Sequence, residues 1–146
     1  MPYIKIYIHF VWSTKYRIPY LDTPELRKTV WQHIKDNAKE KEIYIDHING
    51  FEEHCHCLVS LSHDQSIEKI MQLIKGESSY WINKNKLTKE KFQWQNDYFA
   101  VSVSESVVDR VRAYIRRQEE HHKKKSFNDE FDEMITKFGF VRHEDL

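Results

Sequence analysis

Two short runs in this chain carry residue types that can do chemistry. The first is Glu53-His54-Cys55-His56-Cys57-Leu58. If it is a strand, successive side chains alternate faces. His54 and His56 then share one face, with their rings close enough to grip one metal ion. Cys55 and Cys57 take the other face with Val59 and Leu61. Four contiguous residues on a strand cannot converge on one ion, so the run does not read as a zinc site built from all four. On the residues alone, His54 and His56 are either metal ligands or polar groups on a solvated strand. The second run is Ala113-Tyr114-Ile115-Arg116-Arg117-Gln118. On a helix, Tyr114 and Gln118 stack one turn apart. A tyrosine is a covalent nucleophile if something lowers the cost of its phenolate, such as a nearby cation or arginines. Otherwise Tyr114 is a rim residue of the core and Gln118 faces solvent.

The elements that must position these runs follow from periodicity. Tyr3 to Trp12 alternates, with Ile4, Ile6, Ile8, Phe10 and Trp12 on one face, and predicts a strand with one buried face. Thr23 caps a helix with Pro24 in its first position and a stripe of Leu26, Val30, Ile34 and Ala38. Ile43 to Ile48 reads as a second strand and Glu53 to Leu61 as a third. Asn49-Gly50 between them is a two-residue hairpin signal. Asp64, Gln65 and Ser66 lead into a helix with the stripe Ile67, Ile70, Met71, Ile74, Ser78 and Trp81. Tyr98 to Val103 is a fourth strand. Ser104 caps a third helix starting near Glu105, with a stripe of Val108, Val111 and Ile115. Tyr114 and Gln118 fall at that stripe's edge, where a side chain can leave the core for a cleft. A last helix begins at Ser126 with Phe127, Phe131, Met134, Ile135 and Phe138, and Gly139 ends it.

This order predicts an α+β fold: a ferredoxin-like β-α-β-β-α-β plan with a mainly antiparallel sheet, plus C-terminal helices that carry the tyrosine. The expected organisation is one domain over 1–146, with its core at about 3–122 and a terminal helix at about 126–138. The 146 residues hold 23 basic and 23 acidic side chains, so formal net charge is zero. That argues against general, non-specific affinity for nucleic acid and leaves room for local basic surfaces. Lys84, Lys86, Lys89 and Lys91 form one cluster. Arg110, Arg112, Arg116 and Arg117 with Lys123, Lys124 and Lys125 form another. Each is either a binding surface or a solvated helix face. Trp81, Trp94 and Tyr98 are either core residues or platforms for splayed bases. No run is apolar enough to span a membrane, and the first residues lack signal-peptide features, so a cytoplasmic protein with reduced cysteines is expected.

Taken together, these motifs resemble the single-tyrosine HUH transposases of prokaryotic insertion sequences, the IS200-like group, over about residues 4 to 125. His54-Cys55-His56 corresponds to the HUH motif and Tyr114-Ile115-Arg116-Arg117-Gln118 to the tyrosine helix. His9-Phe10-Val11-Trp12, Gly50-Phe51, Lys75-Gly76-Glu77-Ser78-Ser79 and Trp94-Gln95 fall in the order such proteins show. The resemblance implies that Tyr114 is the nucleophile and that His54, His56 and Gln118 hold a divalent metal. Two imidazoles and an amide oxygen leave open positions for phosphate oxygens, which suits Mg²⁺ or Mn²⁺ better than Zn²⁺. The implied reaction is cleavage and rejoining of single-stranded DNA, hairpin-bearing, through a 5′-phosphotyrosine intermediate. Arg110, Arg116, Arg117, Lys123 and Lys124 are the expected DNA contacts. The resemblance also implies a homodimer, in which the tyrosine helix of one chain completes the site of the other. The rival readings are a domesticated relative that processes dispersed repeats, a non-catalytic DNA-binding module, and a metal-dependent hydrolase in which Tyr114 is structural.

Overall fold

The structure, a computed structural model, describes residues 2–138. Four strands form one sheet: β1 (Ile6–Ser13), β2 (Tyr44–Phe51), β3 (His54–Leu61) and β4 (Phe99–Val103). Their order is β2-β3-β1-β4, and every neighbouring pair is antiparallel. Helices α1 (Pro24–Glu40) and α2 (Ile67–Lys84) complete the expected β-α-β-β-α-β order. Three helices follow: α3 (Val108–Arg116), α4 (Gln118–His122) and α5 (Phe127–Phe138). The fold class is α+β, as the periodicity predicts.

Local chemistry sets the helix starts. Thr23 accepts a hydrogen bond from the Leu26 amide, and Pro24 follows at a position where no amide donor is needed. Ser66 accepts from the Lys69 amide in the same way. The stripes then bury on the sheet. Ile8, Phe10, Trp12, Cys55, Cys57 and Val59 meet Val30, Ile34 and Ala38 of α1 and Ile70, Met71, Ile74 and Ile82 of α2. Each large apolar side chain so buried contributes about 1.5–3 kcal/mol. Both thiols are free and fully buried here, and burial pushes each up from its ordinary pKa.

The other face of the sheet departs from expectation. The alternation in β1 predicts a solvated second face, yet Tyr7, His9 and Val11 are buried as well. The cause is α3, α4 and α5, which cover that face: Tyr7 and Leu58 pack on Val108 and Ile115, and Val11 on Phe127 and Met134. Strand β1 also starts at Ile6 rather than Tyr3, since pairing with β3 begins at Ile6↔Leu61 and Tyr3 is fully exposed.

Asn49-Gly50 is not the hairpin turn. Both residues lie inside β2, paired with His56 and Cys55, and the turn is Glu52-Glu53. Gly50 is there for space: a Cβ on it would lie 2.1 Å from the His54 carbonyl oxygen and 3.0 Å from the Trp31 ring. Asn49 uses its amide to donate to the Arg116 carbonyl at the end of α3. Ser104 does not cap α3 either. Its hydroxyl accepts from the Ser106 amide in a turn, and α3 starts at Val108 with no side-chain cap. Ile135 of α5 is 39% exposed rather than on the buried stripe. The expected stop at Gly139 lies outside the described residues.

Candidate active site

His54 and His56 point from β3 to the face covered by α3–α5, and both are fully buried. Side-chain ties hold the tyrosine segment over that face. Asp46, at the register shift in β2, takes two hydrogen bonds from the Arg112 guanidinium, at 2.9 and 2.8 Å. On α4, Glu119 pairs at 3.0 Å with Arg27 of α1. These contacts fix α3 and α4 against β2 and α1.

The segment is not one continuous helix. It breaks at Arg117, so Tyr114 lies in the last turn of α3 and Gln118 opens α4. The break turns Gln118 inward, where it is fully buried. Its carbonyl oxygen lies 3.0 Å from His54 Nε2 and 3.0 Å from His122 Nε2. Its amide nitrogen is buried without a hydrogen-bond partner. The Tyr114 ring lies edge-on to His56, 5.5 Å between centroids. Tyr114 and the HUH strand of the same chain are therefore already adjacent.

A further residue joins them. Glu130 of α5 is buried, with Oε1 2.9 Å from His56 Nε2 and 3.6 Å from His54 Nε2. Its Oε2 accepts a hydrogen bond from the Tyr114 hydroxyl and lies 3.0 Å from His121 Nε2 and 3.3 Å from His122 Nε2. Burial alone would raise the Glu130 carboxyl. Hydrogen bonds from His122, His56 and Tyr114 outweigh it and hold the group well below the usual carboxylate range. The same contact acts oppositely on Tyr114, whose hydroxyl is pushed above its ordinary pKa by burial first and then by the Glu130 charge. His56 is lowered to about 4, chiefly by burial, against the opposing pull of Glu130. His9, hydrogen-bonded through Nε2 to His56 Nδ1 at 2.9 Å, is lowered to about 3 by burial and then by the His56 charge.

Sequence reasoning missed Glu130 and the part of His9. The signal for Glu130 was legible: it occupies the apolar stripe of α5, between Phe127 and Phe131 and one turn before Met134. A carboxylate on a buried stripe needs a partner.

The donor set fits a divalent cation. Donors bound cis on an ion with ~2.1 Å bonds lie ~3.0 Å apart. The spacings around His54, Gln118, His56 and Glu130 run from 2.9 to 3.6 Å. Glu53 sits 2.7 Å from His54 Nδ1, which leaves Nε2 with its lone pair facing the Gln118 carbonyl oxygen. Two acceptors so placed repel unless a cation or proton lies between them. His54, His122 and Glu130 also form a possible metal group, with donor atoms within 4.8 Å of one another.

Of the expected DNA contacts, Arg110, Arg116, Arg117, Lys123 and Lys124 are all exposed. Arg116 shares a contact with His47 Nε2 at 3.2 Å. Arg112 is committed to Asp46 and Asp109. Trp94 is buried, its indole N–H donating to Ser78, and Trp81 stacks on His33 at 3.7 Å, so neither is a free base platform. Tyr98 is half-buried.

The model of the family described as transposase IS200 like matches residues 2–118, so the chain belongs to that family. Among solved structures, a Deinococcus radiodurans R1 protein described as a "putative transposase" aligns with a TM-score of 0.65 and 21% identity, over 80% of this chain and 93% of that one. A REP-associated tyrosine transposase bound to a REP hairpin aligns with a TM-score of 0.62 and 18% identity, over 84% and 72%. At those identities the likeness shows the fold alone. No curated protein matches the chain. Among the described residues no helix is long and apolar enough to cross a membrane.

Proposed function

We propose that this transposase-family protein cuts and rejoins single-stranded DNA in the cytoplasm, with Tyr114 as nucleophile. The observation that carries the reading is the Tyr114 hydroxyl, hydrogen-bonded to buried Glu130 beside the His54, His56 and Gln118 cluster. Mg²⁺ or Mn²⁺ held by His54, His56 and Gln118, with Glu130 and His122 in reach, would polarise a scissile phosphate and offset the negative charge that raises Tyr114.

The chain's own residues do the rest. Glu130 accepts the phenolic proton as Tyr114 Oη attacks phosphorus in line. The new bond is Oη–P; the bond that breaks is P–O3′. The 3′ oxygen leaves as a hydroxyl, taking a proton from solvent, and the 5′ phosphate stays on Tyr114. Attack by a second 3′-OH reverses the step, and Glu130 returns the proton to Tyr114. No outside energy source is needed, because each step exchanges one phosphodiester for another. His9 holds His56 through Nδ1 and so fixes which ring nitrogen faces the site. Arg110 and Arg116 on α3, Arg117 at the break, and Lys123 and Lys124 just after α4 are the candidate phosphate contacts.

Tyr114 sits over the HUH strand of its own chain. This supports a site completed within one chain, and the homodimer that the resemblance implies is kept as part of the proposal. The fold neighbour bound to a REP hairpin favours a hairpin-bearing substrate, and with it a role in processing dispersed repeats as a second reading.

The test is incubation with an end-labelled hairpin oligonucleotide carrying single-stranded flanks, followed by a denaturing gel. A label that stays on the protein, disappears in chelator and returns with Mg²⁺ or Mn²⁺ is expected. Cleavage without an adduct would assign a hydrolase instead. Binding without cleavage in either metal would assign a non-catalytic module.

A further inference from the structure

A concave site lies apart from the His54–His56 cluster, between α2 and the segment that leads into β4. It is a cleft of about 480 Å³, within the ~300–1,000 Å³ typical of small-ligand sites. Four residues with carboxamide side chains line it, Gln72 on α2 and Gln93, Gln95 and Asn96 on the facing segment, together with one carboxylate residue, Glu68. Tyr98 and Lys15 also line it.

Three observations say the cleft is built rather than incidental. First, Lys75 donates from Nζ to the carbonyls of Gln95, Asn96 and Asp97, at 2.5, 3.0 and 3.3 Å. One half-buried lysine thus sets the path of the carboxamide-bearing segment, and it lies 5.7 Å over the Tyr98 ring. Second, Gly76 stands in the middle of α2 and lines the cleft. A mid-helix glycine costs ~1 kcal/mol relative to alanine. Packing does not require it, for a Cβ there would meet nothing within 4 Å. Its lack of a side chain leaves bare backbone facing an open space, which is what close approach of a flat ligand uses. Third, the segment is fastened to the end of β1, which pairs with the strand that carries His54. Gln95 N donates to Ser13 O, and Lys15 N to Gln93 O, both at 2.9 Å. Ser13 in turn is the register partner of His54.

We propose that this cleft, on the α2 side of the sheet and so across it from His54 and His56, holds one unstacked nucleotide from the single-stranded flank of the DNA and reads its base. Carboxamides offer a donor and an acceptor each, the pattern that matches a base edge. An aromatic ring beside them supplies a stacking face, as in the recognition of splayed single-stranded bases. The Lys15 ammonium is the partner for the adjoining phosphate. The proposal rests on the reading of the protein as a single-strand DNA transferase, and deepens it by naming a sequence-reading subsite.

Gly76→Leu is the decisive variant, because it fills the cleft at a position the fold leaves open and improves helix propensity. Its melting temperature should equal or exceed that of wild type. Hairpin oligonucleotides with a single abasic site walked along each flank supply the second axis. Wild type should lose about 10- to 100-fold in affinity at one flank position. Gly76→Leu should show that loss already with intact DNA, and no further loss at that position. Gln95→Ala should relax base preference at the same position only. A third readout is independent of catalysis: titration of labelled protein with short single-stranded trinucleotides, following side-chain amide resonances. Shifts in the amides of Gln72, Gln93, Gln95 and Asn96 support the cleft even if no covalent adduct ever forms, in which case the transferase reading alone fails. If Gly76→Leu binds every oligonucleotide as wild type does, or the amide shifts fall elsewhere, the cleft proposal is overturned while adduct formation stands.

Discussion

Replacing Tyr114 by phenylalanine separates the chemistry of this residue from its packing. The ring keeps its edge contacts with His56 and His121, at 5.5 Å between centroids in each case. What disappears is one hydroxyl and its hydrogen bond to Glu130. Glu130 retains His56, His121 and His122 around it, so the carboxylate is not stranded. The loss is then one charge-assisted hydrogen bond, about 1.5–3 kcal/mol. For a chain of this length that corresponds to a fall in melting temperature of roughly 3–12 °C. Binding of a hairpin oligonucleotide should change less than threefold, since no phosphate contact is removed. The covalent adduct should vanish, with the residual signal set by detection rather than by a slower rate, because the hydroxyl held by Glu130 beside His56 is the one removed. The assay is a labelled oligonucleotide on a denaturing gel, alongside thermal melting of the same preparations. An adduct that persists in Tyr114→Phe refutes the assignment outright. Cleavage at the wild-type rate with the melting temperature lowered would make Tyr114 a structural residue.

Other expectations follow from the same geometry. Glu130→Gln keeps the shape and removes the base; adduct formation should slow by about 10²–10³-fold and should rise with pH, while wild type stays flat near neutrality because its carboxyl remains ionised. An unchanged rate and profile would leave Glu130 with no part in proton transfer. In chelator, acid should destabilise the protein early. His9 and His56 titrate at about 3 and about 4 in the fold against 6.5 unfolded, so the unfolded chain takes up protons first. Stability is full above pH ~6.5 and declines toward pH 4 by up to ~1.4 kcal/mol per pH unit for each histidine. Melting temperatures that do not move between pH 7 and pH 5 would contradict this. Gly50→Ala should cost ~3 kcal/mol or more, since its Cβ would press on the His54 carbonyl oxygen and the Trp31 ring, and should weaken Mn²⁺ binding with it. A variant as stable as wild type would show that the approach of β2, β3 and α1 at this point is slack.

How much of this was legible beforehand depends on how local each signal is. The caps at Thr23 and Ser66 act within one turn, and both helices begin where those residues stand. Alternation placed His54 and His56 on one face and the cysteines on the other, because a strand's faces are fixed by its own backbone. What failed was non-local. Asn49-Gly50 has the composition of a turn, but the approach of Trp31 and His54, remote in sequence or across the hairpin, decides the role of that glycine. Tyr7, His9 and Val11 look like a solvated face until three helices from the far end of the chain cover them. The break at Arg117 has no proline or glycine to announce it, and it is what turns Gln118 into the site rather than along a straight helix. Glu130 lies between the two cases. Its place on an apolar stripe is a local signal that a partner must exist, whereas the partners themselves, His56, His121, His122 and Tyr114, come from three other elements, β3, α3 and α4. A buried ionisable residue is thus the one clue by which a helix that otherwise reads as plain core can be suspected of belonging to an active site, and the burden then passes to Glu130→Gln to show whether it does.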